Sequence, residues 1–274
     1  MDMAAHPDAL KAGHLLRAGD LAAASSHAPH WQPRAAHALH SEIFAPATEG
    51  SGAGMALALA RDGLRAAARA DGARIGARVG AGVGAGTAVG AEADEKPILW
   101  VQDKRARRLS GMPYRPGLPR WLAHRLIHVA ADKPEDALFA LEEGVRCRDL
   151  ACVIGELAGN PRVFDFTASR RLSLAAEKHG VPLVMVRLDA HPELSSARMR
   201  WHARAAPSAP PLWNTAAPGR PAWHAELFRA RGHIPGEWIL RDGDDILAAE
   251  RSATGTPDHG DLVPGADARS LATL

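Results

Sequence analysis

The sequence is poor in most of the features that announce a chemistry. It holds only two cysteines, Cys147 and Cys152, among 274 residues. A disulfide framework is therefore not what organises the fold, and reduced thiols fit a cytoplasmic protein. No cysteine and histidine set has metal-ligand spacing, so the 14 histidines read as scattered cap and surface residues and no metal is expected. No apolar run approaches the ~20 residues that a bilayer span requires, and no membrane contact is expected. The first residues, MDMAAHPDALKAGHLL, lack a basic start followed by an apolar block, so no signal peptide is expected. Charge of one sign is also missing: 33 basic residues face 31 acidic ones, a net charge of +2. Strong nucleic-acid affinity by charge alone is thereby disfavoured.

What the chain does have is arginine, which far outnumbers lysine. It clusters at Lys104, Arg105, Arg107 and Arg108, at Arg170 and Arg171, and in the run RMRWHAR from Arg198 to Arg204. Guanidinium forks suit phosphate or carboxylate partners, and exposed charge is also the ordinary state of a protein surface.

Regular patterning begins at LHSEIF (39–44), a strand, followed by a small-residue loop and an alanine-rich helix over 55–70. The stretch 72–95, GARIGARVGAGVGAGTAVGAEADE, has no durable apolar face and is expected to be a flexible insert. Its GxG spacing has no strand before it and no helix after it, so it is not a dinucleotide fingerprint. From Pro97 onward, strands at 97–101, 126–130, 150–157 and 181–188 alternate with helices at 117–125, 133–147 and 167–180. Thr167 or Asp165 caps the last helix and Gly180 closes it. Strand–helix repetition with doubly apolar strands implies a parallel sheet. Segments 198–208, 222–232 and 237–242 alternate polar and apolar residues and read as a half-exposed antiparallel meander. The expected organisation is an N-terminal helical and loop segment over 1–30, a domain over 31–245, and a disordered tail over 246–274.

The loop at 45–52, APATEGSG, has the strand–loop–helix layout of a phosphate-binding loop without its ligands. In the best superposition on GxxxxGK[ST], Ala45 replaces the first glycine and Gly50 matches the second. Ser51 then stands where lysine is needed and Gly52 where the magnesium-binding hydroxyl is needed. Glu49 adds a negative charge that would repel a polyphosphate by roughly 4 kcal/mol per charge pair at ~4 Å and an effective dielectric near 20. The acid that should end a buried strand is absent too: LACVIGEL places Gly155 there, with Glu156 one residue later. Glu156 could orient a water, cap the next element, or serve as a magnesium-side acid in a shifted register. The fold class expected is α/β, a nucleotide-binding three-layer architecture stripped of its phosphate chemistry, with no cofactor.

The segments PILWVQ, EDALFALEEGVRCRDLACVIGELAG, FDFTASRRLSLAAEKHGVPLVMVR, RMRWHARAAPS and PGEWIL resemble the bacterial ImuA family over roughly 39–242. The resemblance implies a RecA-like, SulA-like fold lacking standard nucleotide motifs and a role in damage-inducible translesion DNA synthesis. It implies an adaptor that binds an ImuB-like polymerase homologue, reaches an error-prone DnaE-type polymerase through it, and has RecA as a further contact. No catalytic residue carries over. Candidate contact groups are Arg170, Arg171, Arg198, Arg200, Trp201 and Arg204, since Trp and Arg dominate interface hot spots. Trp201 and Trp223 equally suit sheet packing. Competing readings are an atypical ATPase using Arg105 or Arg108 against phosphate, a division inhibitor of the SulA type, and a weak single-stranded DNA binder that stacks bases on Trp201.

Overall fold

The computed structural model describes residues 39–79, 96–231, 235–243 and 247–251, all within one compact unit. The expected N-terminal segment, residues 80–95 of the expected insert, and residues 252–274 of the expected tail lie outside the described residues.

Nine strands form one sheet. In chain order they are β1 (His40–Ala45), β2 (Ile98–Gln102), β3 (Leu126–Ala130), β4 (Cys152–Ala158), β5 (Leu183–Leu188), β6 (Met199–Ala205), β7 (Ala222–Ala230), β8 (Gly236–Asp242) and β9 (Leu247–Arg251). Their spatial order is β3-β2-β4-β5-β1-β6-β7-β8-β9. From β3 to β6 all pairings are parallel, and from β6 to β9 all are antiparallel. The protein is thus α/β, with a mainly parallel central sheet and antiparallel C-terminal strands.

The helices are α1 (Ser51–Val79), α2 (Lys104–Ser110), α3 (Arg120–Ala123), α4 (Pro134–Arg146) and α5 (Phe166–His179), with a 3-10 turn at Arg115–Gly117. Sequence chemistry explains their ends. Pro134 opens α4 with Glu135 and Asp136 in the first turn. Of the two capping candidates for α5 it is Asp165 that accepts the Ala168 amide, at 2.8 Å, and Gly180 ends the helix at φ 72°. Helices α4 and α5 pack on one face, over Leu99, Val153, Leu157 and Met185. Because successive strand residues point to opposite faces, Val184 and Val186 face the other side, where α1 lies across β5, β6 and β1.

Three expectations need correction. Helix α1 begins at Ser51 rather than Met55 and runs to Val79, through the first eight residues of the expected insert. Extending an existing helix carries no nucleation cost. Gly72 and Gly76 each cost only about 1 kcal/mol there, while alanine and arginine between them are good helix formers. The strand that holds Gly155 and Glu156 runs on to Ala158, so Gly155 is mid-strand rather than at its end. Residues 247–251 are a strand, although they fall within the expected disordered tail. Pairing with β8 supplies the order that a weakly patterned segment does not encode locally.

Gly52 sets how closely α1 sits on the sheet. A Cβ there would stand 2.7 Å from Val186 Cγ1 and 2.9 Å from the Ala45 Cβ, whereas one at Gly50 would meet nothing within 4 Å. Helix propensity alone favours alanine at either position. Contact reverses that at the first: Gly52→Ala should lower stability by about 1–3 kcal/mol, and Gly50→Ala should leave it within ~0.5 kcal/mol. Urea midpoints of the two variants, measured side by side, test this.

Candidate functional site: a loop filled by its own carboxylates

The turn between β1 and α1 is where a phosphate loop would act. Two of its amides are engaged: that of Glu49 donates to the Pro46 carbonyl at 3.3 Å and that of Ala47 to a carboxylate. Asp189, at the end of β5, accepts the Ala47 amide at 2.9 Å. Among the described residues Asp189 is the only non-glycine with positive φ, at 47°, a strained conformation that aims its carboxylate at the loop. Glu49 folds back and accepts the Ala205 amide of β6 at 2.7 Å. Ser51 is buried, with its hydroxyl directed at the Ala203 carbonyl 3.5 Å away. A lysine at that position would enter the α1–sheet interface, not the loop. Two carboxylates therefore bear on the turn, and the residue in the lysine position faces inward.

Glu156 is equally committed. It is 1% exposed, and its carboxylate accepts from Gln102 Nε2 at 2.8 Å, Trp100 Nε1 at 3.2 Å and the Ser110 hydroxyl. Burial pushes its pKa above the usual carboxylate range, against those three hydrogen bonds, which act the other way. It ties β4 to β2 and α2, with β5 standing between it and the loop strand. Among the readings open to it, this one is structural. Cys152, two positions from Ile154 on the same strand, is buried, and burial pushes its thiol up to about 12, which makes it unreactive.

The arginine-rich strand β6 departs furthest from expectation. Arg200 and Trp201, expected on an exposed meander, are 4% and 1% exposed. Arg200 Nε donates to Glu42 Oε2 of β1 at 2.7 Å, and the Ser195 hydroxyl donates to the other Glu42 oxygen at 2.6 Å. The Arg200 guanidinium lies 5.2 Å from the Phe44 ring centre and 5.3 Å from that of Phe228. Trp201 meets Trp238 edge-on at 6.1 Å. Trp223 is buried against Gly54. Both tryptophans thus belong to sheet packing, and neither Arg200 nor Trp201 is free to contact DNA or a partner. The other contact candidates divide. Arg171 pairs with Glu142 at 2.5 Å and Arg198 with Glu177 at 2.7 Å on the surface. Arg170 and Arg204 are exposed.

What local pattern did not single out is a cluster of exposed apolar side chains on the β6–β7 connection. Leu212 is 102% exposed and Trp213 83%. The signal was present in APPLWNTAAPGRP, where a Leu-Trp pair stands between turn residues. No group of three His, Cys, Asp or Glu among the described residues is placed to hold a metal. No helix among them is long and apolar enough to cross a membrane.

Fold and loop together define an α/β protein with a mainly parallel central sheet and a β1–α1 turn held by a carboxylate from β5. No protein-family model matches the chain. It is similar to Protein ImuA from two strains of Caulobacter vibrioides, 38% identical to each over 129 residues. That stretch is 43% of this chain and 51% of each relative, so the match spans about half the length of the curated relatives. Over that stretch it is similar to the ImuA proteins, the family its own motifs resemble.

Two outcomes test the buried chemistry. Arg200→Met strands Glu42 without its cation and should cost about 3–5 kcal/mol, while Glu42→Leu combined with Arg200→Met should recover most of that loss; denaturant midpoints of both single variants and the double variant complete the cycle. His40, beside this pair on β1, contacts the Ser173 hydroxyl at 2.6 Å, and burial lowers its pKa to about 4. Its neutral form is favoured by folding, so its contribution is fully present above pH 6.5 and is lost as pH falls toward 4. That loss amounts to about 3 kcal/mol. His40→Asn should flatten the stability–pH curve across that window, as read from unfolding midpoints at a series of pH values.

Proposed function

We propose that this chain is a non-catalytic adaptor of a damage-inducible translesion-synthesis complex, built on a RecA-like scaffold. The observation that carries the reading is the loop itself: Asp189 takes the Ala47 amide of the β1–α1 turn, Glu49 takes the Ala205 amide of the neighbouring β6, and Ser51 lies buried where a cation is needed. A triphosphate entering there would have to displace one carboxylate and lie against the other, with no lysine to offset either. The strand order supports the RecA-like part of the reading. The loop strand β1 and the acid-bearing strand β4 are separated by one strand, β5, and antiparallel strands extend the sheet beyond β1 and β6. ImuA similarity supports the assignment to the mutagenesis system.

In this reading the chain docks onto an ImuB-like polymerase homologue, reaches an error-prone DnaE-type polymerase through it, and meets RecA as a further contact. Leu212 and Trp213 are the anchor. A fully exposed Leu-Trp pair on a turn buries a large apolar area only when a partner covers it, and tryptophan is enriched at such hot spots. The atypical-ATPase reading is disfavoured by position. Arg105 lies at the Gly159 end of β4, two strand spacings, roughly 10 Å, from the end of β1.

Immobilised wild-type chain should capture a purified ImuB-like protein, and Trp213→Ala should weaken that capture at least tenfold while leaving the unfolding midpoint within ~0.5 kcal/mol of wild type. Titration calorimetry with ATP and magnesium should show no heat of binding that is lost in Glu156→Gln. Absence of capture by the wild type, or tight ATP binding that disappears in Glu156→Gln, would overturn the proposal.

A further inference from the structure

A second crevice opens at the carboxyl ends of β2 and β4, with a volume of about 340 Å3. It shares no lining residue with the cavity beside the filled loop, which is bordered by Asp189, His202, His224 and Glu226. Its position has a topological cause. Helix α2 leaves β2 toward the face on which Glu156 lies, since Ser110 of α2 reaches that carboxylate. Helix α5 leaves β4 toward the opposite face, over Val153 and Leu157. Adjacent parallel strands whose connections diverge in this way leave an open crevice beyond their carboxyl ends, the place where open α/β sheets bind ligands.

The chemistry of the wall is unbalanced in one direction. Each of its acids has a partner. Asp103 accepts the Ala106 amide at 2.6 Å, and Asp132 accepts from Arg107 at 3.3 Å. Asn160 is used up by both the amide and the carbonyl of His191, at 2.9 and 2.8 Å. Lys104, Arg105 and Arg108 are exposed and line the same space, and among the described residues none of the three has an ion-pair or hydrogen-bond partner. Arg105 is drawn against the sheet because Gly159, at φ 66°, has no side chain there; a Cβ would stand 3.0 Å from its Nη1. Three unpaired cations thus surround a small crevice whose other polar groups are satisfied internally.

We infer that this crevice binds the phosphate group of a phosphate ester, through Lys104, Arg105 and Arg108. Two sources present that chemistry, a free nucleotide and the backbone of a single DNA strand. Six positions after Arg108, Tyr114 is 73% exposed, with Met112 beside it at 65%. Neither lines the crevice itself, but an exposed aromatic side chain a few residues along the chain from unpaired arginines can stack bases while the cations hold the backbone. The inference does not rest on the adaptor reading: a chain that fails to bind an ImuB-like protein could still bind phosphate here, and the reverse.

The test uses the full chain with two probes, a fluorescently labelled oligo(dT) followed by anisotropy and thymidine monophosphate followed by calorimetry, in about 50 mM salt. Expected is binding of at least one probe, reduced tenfold or more in Arg105→Ala with Arg108→Ala and unchanged in Arg170→Ala, an exposed arginine on α5. If the source is a strand, Tyr114→Ala also weakens the oligonucleotide, and the double arginine variant lowers the magnitude of the log–log salt slope by about 1.4. If the source is a free nucleotide, the monophosphate binds as well as the oligonucleotide and Tyr114→Ala has no effect. The inference is overturned if neither probe binds, or if the double variant binds both probes as the wild type does.

Discussion

The ion pair between Glu42 and Arg200 sits where the sheet changes its mind about direction. β6 is the one strand with a parallel neighbour, β1, on one side and an antiparallel neighbour, β7, on the other. Glu42 and Arg200 are directly opposite in the parallel register, and the β6–β7 pairing slips immediately after Arg200. A bulge there adds twist and brings Phe228 against the guanidinium. Both charges are out of water, so each is tolerable only because the other is present. Ser195 satisfies the second carboxylate oxygen, and Phe44 and Phe228 cover the cation's flat faces. A wrong register of β6 on β1 would leave a bare carboxylate facing a bare guanidinium's hole, which makes the pair a device for register as well as for cohesion.

That register determines the fate of the loop. Glu49 reaches the Ala205 amide because β6 runs beside β1 in this alignment, and Asp189 reaches the Ala47 amide because β5 does so on the other side. Asp189 holds a backbone conformation that disfavours every residue but glycine and a few polar ones, at a cost on the order of 1 kcal/mol. The fold spends that strain on a hydrogen bond that closes the turn. That bond fastens the turn after β1 to the end of β5.

Legibility from sequence follows the range of the interaction. Helix α5 was readable because its determinants are local: Asp165 three residues before Ala168, and Gly180 at its end. Strands β4 and β5 were readable as doubly apolar runs, and the buried face of α4, Ala137, Leu138, Leu141 and Val145, from helical spacing. Strand β6 was misread because alternation shows which residues share a face but not which face is covered. Arg200 finds its partner 158 positions away, and the carboxylates on the loop are 142 and 156 positions from the amides they satisfy. The missing lysine could be read from the loop alone; that Asp189 takes the Ala47 amide and that Ser51 faces inward could not. The helical extension through Val79 was missed for another reason, since composition describes what a segment does alone and not what it does as the continuation of a formed helix.

The carboxyl edge of the sheet therefore carries two crevices of opposite character. Around the loop strand, Asp189 and Glu226 line the space beside His202 and His224, with Arg204 the one arginine on its rim. Around β2 and β4 the acids are paired internally and three cations are not. Two unit charges ~4 Å apart at an effective dielectric near 20 interact by roughly 4 kcal/mol, so even partly screened differences of this kind direct an anion to one crevice and away from the other. A phosphate-binding loop concentrates positive character at its own strand. Among the described residues, the exposed cations Lys104, Arg105 and Arg108 stand instead beside β2 and β4, two strands along from the loop strand. In the proposed reading the missing loop lysine is half of the difference from a phosphate loop, and the three cations of α2 are the other half.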